Sequence, residues 1–191
     1  LMHAGGEMES DDQIDVSVLC VSKRSVYKTL FGIDCYDINR DCRTFTGSNP
    51  VVCHPPCRSW SAHCRHQAKP IPGERELALF CVEKLISNGG VLEHPANSKL
   101  WDELNLPKPG DKSRDGFWSI RVDQSWFGDE RVKKTWLLLY GINLCDLPEI
   151  PFLLHDKKQK KWNTMSKTKR SSTPRDMALW LIDAARKSTV K

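Results

Sequence analysis

Six short runs of apolar and β-branched residues break up an otherwise polar chain. Asp15–Val21 (DVSVLCV) reads as a buried strand, followed by the basic stretch SKRSVYKTL. Ile33–Ile38 (IDCYDI) reads as a second strand ending in acidic, turn-prone residues. After a turn at Thr46–Asn49, Pro50–Cys53 (PVVC) is a third, cut short by Pro55 and Pro56. Gly90–Glu93 (GVLE) is a fourth, again stopped by a proline. Phe117–Val122 (FWSIRV) and Lys134–Ile142 (KTWLLLYGI) are two more, and a Pro-, Gly- and charge-rich loop at 105–116 precedes them.

Two segments carry the 3.6-residue period instead. In GERELALFCVEKLISNGG, Leu77, Phe80, Cys81 and Leu85 fall on one face, widened by Ala78, Val82 and Ile86. Asn88-Gly89-Gly90 is its stop signal. Near the C-terminus, Met177, Trp180, Leu181, Ala184 and Ala185 share a face. Thr173 is placed to cap that helix, Pro174 to begin it and Asp176 to complete a capping box. Strands alternating with helical stretches predict an α/β fold with a sheet parallel in its first half, in a single domain over 15–191. Residues 1–14 read as a disordered lead-in without a signal-peptide core. Ligands collect at the carboxyl ends of strands in such sheets. Three groups then share one rim: Tyr36-Asp37, His54 to Ser61, and Glu93-His94.

Composition narrows this picture only slightly. With 39% hydrophobic and 28% charged residues the chain is globular, and no apolar run is long enough for a membrane span. Eight cysteines without a secretion signal read as reduced thiols of a cytoplasmic protein. The net charge of +5 is modest, but the 155–172 loop concentrates it. Lys157, Lys158, Lys160, Lys161, Lys167, Lys169 and Arg170 carry no intervening acid. Such a run is either a solvated loop or a phosphate-binding surface.

The segment VVCHPPCRSWS, residues 51–61, poses the chemical question. Two prolines stiffen the chain immediately before Cys57, and rigid placement is what a nucleophile requires. Arg58, Arg65, His54 and His63 are close in sequence, and cationic surroundings favour the thiolate. Cys57 is otherwise one more buried cysteine, or part of a zinc site with Cys53, His63, Cys64 and His66. Their spacing is not the usual two separated pairs, so no metal is expected.

The order of a Pro-Pro-Cys turn, GGVLEHP and then KKTWLLLYG resembles the DNA cytosine-5 methyltransferase family. It is most similar to small phage- or prophage-type members. The intervals agree with that family: 36 residues from Cys57 to Glu93, and about 40 from Glu93 to Lys133-Lys134. The resemblance covers roughly Val16 to Ile142. It implies a Rossmann-like methyltransferase-type sheet acting on DNA or a nucleotide, with S-adenosylmethionine as donor. Cys57 would add to C6 of a pyrimidine, and Glu93, its pKa raised by burial, would assist at N3. Arg58 and His94 would complete the catalytic group. Lys133 and Lys134 would sit near the base or its phosphate, joined on nucleic acid by the basic loop. Asp37 would hold a ribose hydroxyl, with Ser22, Lys23, Arg24 and Pro55 also at the cofactor.

The chain departs from the family in four places. The turn after the first strand is Ser-Lys-Arg-Ser rather than glycine-rich, which suits an anion better than an adenosyl group. His94 stands where the family has Asn, lysines stand where it has arginine, and the long target-recognition domain is missing. A phosphorylated or nucleotide-type donor, a free-nucleotide substrate, and a nucleic-acid-binding or decoy protein without turnover are the alternatives.

Overall fold

In a computed structural model of the chain, residues 14–61, 69, 71–153 and 171–190 are described. They form one compact α/β domain around a six-stranded sheet. The strands are β1 (Val16–Leu19), β2 (Ile33–Cys35), β3 (Val51–Cys53), β4 (Gly90–Pro95), β5 (Phe117–Asp123) and β6 (Lys134–Tyr140). Their order is β2-β1-β3-β4-β6-β5. The first four run parallel, and β6 lies antiparallel between β4 and β5, which therefore point the same way. The basic loop 155–172 lies almost wholly outside the described residues.

Three helices are described: α1 (Glu74–Asn88), α2 (Lys99–Glu103) and α3 (Arg175–Arg186). Successive residues of a strand face opposite ways, so each strand feeds two cores. Leu19, Cys53, Leu92 and Leu138 pack under α1 and α2 with Trp60 and Trp101. Val18, Val52, Val91, Leu137 and Leu139 pack under α3 with Met177, Leu181 and Ala185. The sheet is thus buried on both faces, which is why its strands read as continuous apolar runs.

β1 and β2 are each followed by a single 3-10 turn, Val26–Thr29 and Cys42–Thr44. One sequence expectation needs correction. At α3, Pro174 rather than Thr173 occupies the cap, and no side chain caps the helix. The buried face of α3 is as predicted, whereas on α1 the exposed Ile86 drops out of the predicted stripe.

The junction of α1 and β4 is tightly specified. The side-chain amide of Asn88 donates to the carbonyls of Gly47 (2.8 Å) and Asn49 (3.0 Å), fixing the approach to β3. Gly90 adopts φ +126°, and a Cβ there would come 2.0 Å from the Val51 carbonyl oxygen. Only glycine permits this close approach of β4 to β3. It sets the register Val51↔Gly90 that carries β3 and β4 to the same rim.

Candidate functional site

β3 and β4 end side by side, so the segment after Cys53 and the acid of β4 share one edge of the sheet. His54 continues the ladder, its amide donating to Leu19 (3.0 Å). Pro55 is buried, and the chain then turns outward so that Cys57 is exposed. A 3-10 turn, Arg58–Trp60, closes the loop, with the Trp60 amide donating to the Cys57 carbonyl (3.1 Å). Trp60 is fully buried and Arg75 stacks on its ring at 4.2 Å. Arg58 is ion-paired with the buried Glu74 in the first turn of α1. This arginine anchors the loop to α1; it does not stand free beside the sulfur.

Glu93 is buried near the end of β4 in a hydrogen-bonded chain that the sequence did not reveal. Its Oε2 lies 2.9 Å from Nδ1 of His54, and Nε2 of His54 lies 2.9 Å from the Tyr27 hydroxyl. Its Oε1 accepts from the side-chain amide of Gln124 (3.0 Å), which also donates to Thr135 (3.2 Å). Tyr27 is buried, and desolvation holds its hydroxyl well above the ordinary value. The chain is satisfied when the Tyr27 O–H donates to Nε2 and Nδ1–H donates to Glu93.

Burial alone would push the Glu93 carboxyl up, as the sequence suggested. The Lys133 ammonium and the His54 contact outweigh it and hold the group at about 2. Glu93 is therefore a carboxylate at neutral pH, which corrects the expected preloaded acid. The sulfur is displaced the other way. The crowded loop pushes the Cys57 thiol up, although its outer side is open to solvent. The charge of Glu93 adds to this, while Lys133 and Arg58 oppose it without prevailing. The basic neighbours do not make Cys57 a resting thiolate. One cation, Lys133, acts on both the acid and the sulfur, and among the described residues it has no ion-pair partner. Its backbone is pinned to Asp123 (3.0 Å).

His94 does not join Glu93. Adjacent positions of β4 alternate, and His94 turns to the α2 face, 6.3 Å from the Trp101 ring and in register with Trp136. Neither of its ring nitrogens makes a well-formed hydrogen bond. Burial pushes its imidazole down to about 4 against the Glu93 charge and the Pro56 carbonyl. Lys134 points to that same face.

Of the expected cofactor residues, Pro55 lies beside Cys57, and the others follow β1 and β2. Ser22, Lys23 and Arg24 form an exposed turn after β1. Asp37, after β2, is ion-paired with Lys28 and accepts the amides of Asn39 (2.8 Å) and Arg40 (3.1 Å). The Lys28 contact and these amides hold its carboxyl at about 2. Among the described residues no group of three or more His, Cys, Asp or Glu is arranged to hold a metal. Cys53 points into the α1 core, toward the Cys81 carbonyl, and away from Cys57. His63, Cys64, His66 and the cluster Lys157, Lys158, Lys160, Lys161, Lys167, Lys169 and Arg170 lie outside the described residues. Among the described residues no helix is long and apolar enough to cross a membrane.

No protein-family model, no curated protein and no solved structure matches this chain.

Proposed function

We propose that this protein modifies a pyrimidine base of DNA, with Cys57 as nucleophile and Glu93 as the proton-handling group at N3. The observation that carries the reading is the pairing of an exposed sulfur with a buried carboxylate at the ends of adjacent parallel strands, with Lys133 acting on both. The sheet order supports it as well. Parallel strands with one reversed strand inserted near the edge are in keeping with a Rossmann-like methyltransferase-type fold.

The resting protonation states give a balanced first step. The Cys57 thiol passes its proton to the Glu93 carboxylate while sulfur bonds to C6. Glu93 delivers that proton to N3 as the ring electrons shift toward C5. Thiol and carboxylate thus begin in the forms the site favours, and the acid is loaded by the nucleophile it serves. Lys133 stabilises the carboxylate before and after the transfer. His54 and Gln124 keep both carboxylate oxygens in place. The base must leave the stack or be single-stranded to reach Cys57.

S-adenosylmethionine would supply an electrophilic methyl group to C5. The turn at Ser22–Arg24 carries side chains where a close backbone approach is needed, and a 3-10 turn rather than a helix follows it. The polar atoms of Asp37 are engaged by Lys28 and two amides. These residues do not fit that cofactor in its usual mode. A phosphorylated donor suits the exposed Ser-Lys-Arg turn better, so the role of this chain's residues ends at the nucleophilic C5.

Incubation with an oligonucleotide carrying 5-fluorocytosine, with S-adenosylmethionine and with nucleotide donors, tests the reading by intact mass. A covalent adduct is expected with the native protein and none with Cys57→Ala. Tight binding without any adduct under every donor would favour a decoy protein that holds nucleic acid without turnover.

A further inference from the structure

A hollow of about 400 Å³ opens on the other face of the β4–β6 ladder at the same end of the strands. It is lined by Ala96, Asn97, Pro109, Arg121, Lys134 and Trp136. The register explains why these residues meet. Arg121 pairs with Trp136 across β5–β6, and Pro95 with Thr135 across β4–β6. Trp136 packs edge-on against the buried Trp101 at 5.5 Å, so the aromatic wall that Trp136 forms is braced from behind. Arg121 and Lys134 are exposed at its mouth, and among the described residues neither has a carboxylate partner. An aromatic wall beneath two uncompensated cations is complementary to a planar ring carrying a phosphate.

The position of this hollow relative to Cys57 and Glu93 narrows the ligand. Lys133 and Lys134 are consecutive, and consecutive strand residues face opposite sides. Lys133 acts on Glu93 and Cys57, while Lys134 lines the hollow. One strand entry therefore presents one cation to each site. A chain of nucleotides with its reacting base at Cys57 would pass over this rim.

We propose that the hollow is a second nucleotide subsite, which takes the base and phosphate next to the reacting nucleotide in single-stranded DNA. The proposal rests on the pyrimidine reading for the location of the reacting base. It makes the substrate a polynucleotide rather than a free nucleotide. Trp136 stacks the neighbouring base, and Arg121 and Lys134 neutralise the phosphates on either side of it.

The test is a titration of a fluorescein-labelled (dC)8 by anisotropy across a salt series, with the native protein and with the double variant Arg121→Gln/Lys134→Gln. Both residues are on the surface, and circular dichroism checks that the variant keeps its fold. Losing two phosphate contacts should reduce the slope of log affinity against log salt by about 1.4, since each contact contributes about 0.7 on a single strand. Raising salt from 50 to 200 mM would then cost the variant about sevenfold less affinity than the native protein. Competition by dCMP should be unaffected by the double variant. An unchanged slope, or no binding of (dC)8 to the native protein, overturns the subsite. Cys57→Ala in the same titration separates the two proposals. If the 5-fluorocytosine adduct never forms yet the double variant still lowers the slope, the covalent reading falls and the subsite stands.

Discussion

Replacing Glu93 by glutamine removes a buried charge while nearly keeping its shape, and the cost can be worked out from the site. The carboxyl is held at about 2 instead of its ordinary 4.5. At about 1.4 kcal/mol per pKa unit, that difference favours the folded state by about 3 kcal/mol at neutral pH. The sign follows from a depressed folded-state pKa. The contribution is complete above about pH 4.5 and is lost as pH falls toward 2. At pH 3 more than half of it should be gone by the same linkage. Glu93→Gln should therefore be about 3 kcal/mol less stable than the native protein at pH 7, with the gap under half as large at pH 3. Urea denaturation at several pH values reads this directly. With a slope near 2 kcal/mol per molar, the midpoint at pH 7 moves by about 1.5 M. Other carboxylates, Asp37 among them, weaken both proteins alike in acid, so only the difference between the two curves is informative. A gap independent of pH, or a variant more stable than the native protein at pH 7, would refute the claim that Lys133 and His54 overcome the burial of this charge.

The remaining predictions address the same network. Cys57 should react slowly with iodoacetamide at pH 7 and faster as pH rises, because its thiol is pushed up. Glu93→Gln should speed alkylation at neutral pH and Lys133→Gln should slow it; equal rates in all three proteins would disprove the charge coupling. Tyr27→Phe leaves Nε2 of the half-buried His54 without its partner and should cost about 1–3 kcal/mol in urea denaturation. No loss would show that the hydroxyl plays no part in holding the chain to Glu93. Gly90→Ala forces a Cβ to 2.0 Å from the Val51 oxygen at φ +126° and should destabilise by about 3 kcal/mol or more. A thermal midpoint like that of the native protein would contradict the β3–β4 spacing.

The strands were legible because this sheet is covered on both faces. Runs such as Val16–Leu19 and Val51–Cys53 are apolar at nearly every position, and proline or glycine marks their ends. The shared rim of Cys57 and Glu93 was legible for the same reason, since parallel strands deliver their following residues to one edge. The charge states were not legible. They depend on Lys133, which acts on Glu93 from the entry to β6, forty positions on in the chain. Nor was the Tyr27–His54–Gln124 chain, because single polar residues in a 3-10 turn, after a strand and after an edge strand carry no common spacing. His94 could have been placed correctly from alternation alone: if Glu93 faces the sulfur, its neighbour faces away. Arg58 looked like a partner of Cys57 by adjacency, but Glu74, sixteen residues on, claims it through the fold of α1.

Hydrogen exchange at C5 of cytosine tests the Cys57–Glu93 pairing without requiring any donor. Reversible addition of the sulfur to C6 makes C5 basic. In heavy water C5 takes up a deuteron, loses its original proton and expels the sulfur, so the base gains one mass unit. Incubating (dC)8 in heavy water followed by nucleoside mass spectrometry should show deuterium at C5 with the native protein, none with Cys57→Ala and much less with Glu93→Gln. An oligonucleotide that stays bound while its C5 hydrogens never exchange would contradict the account.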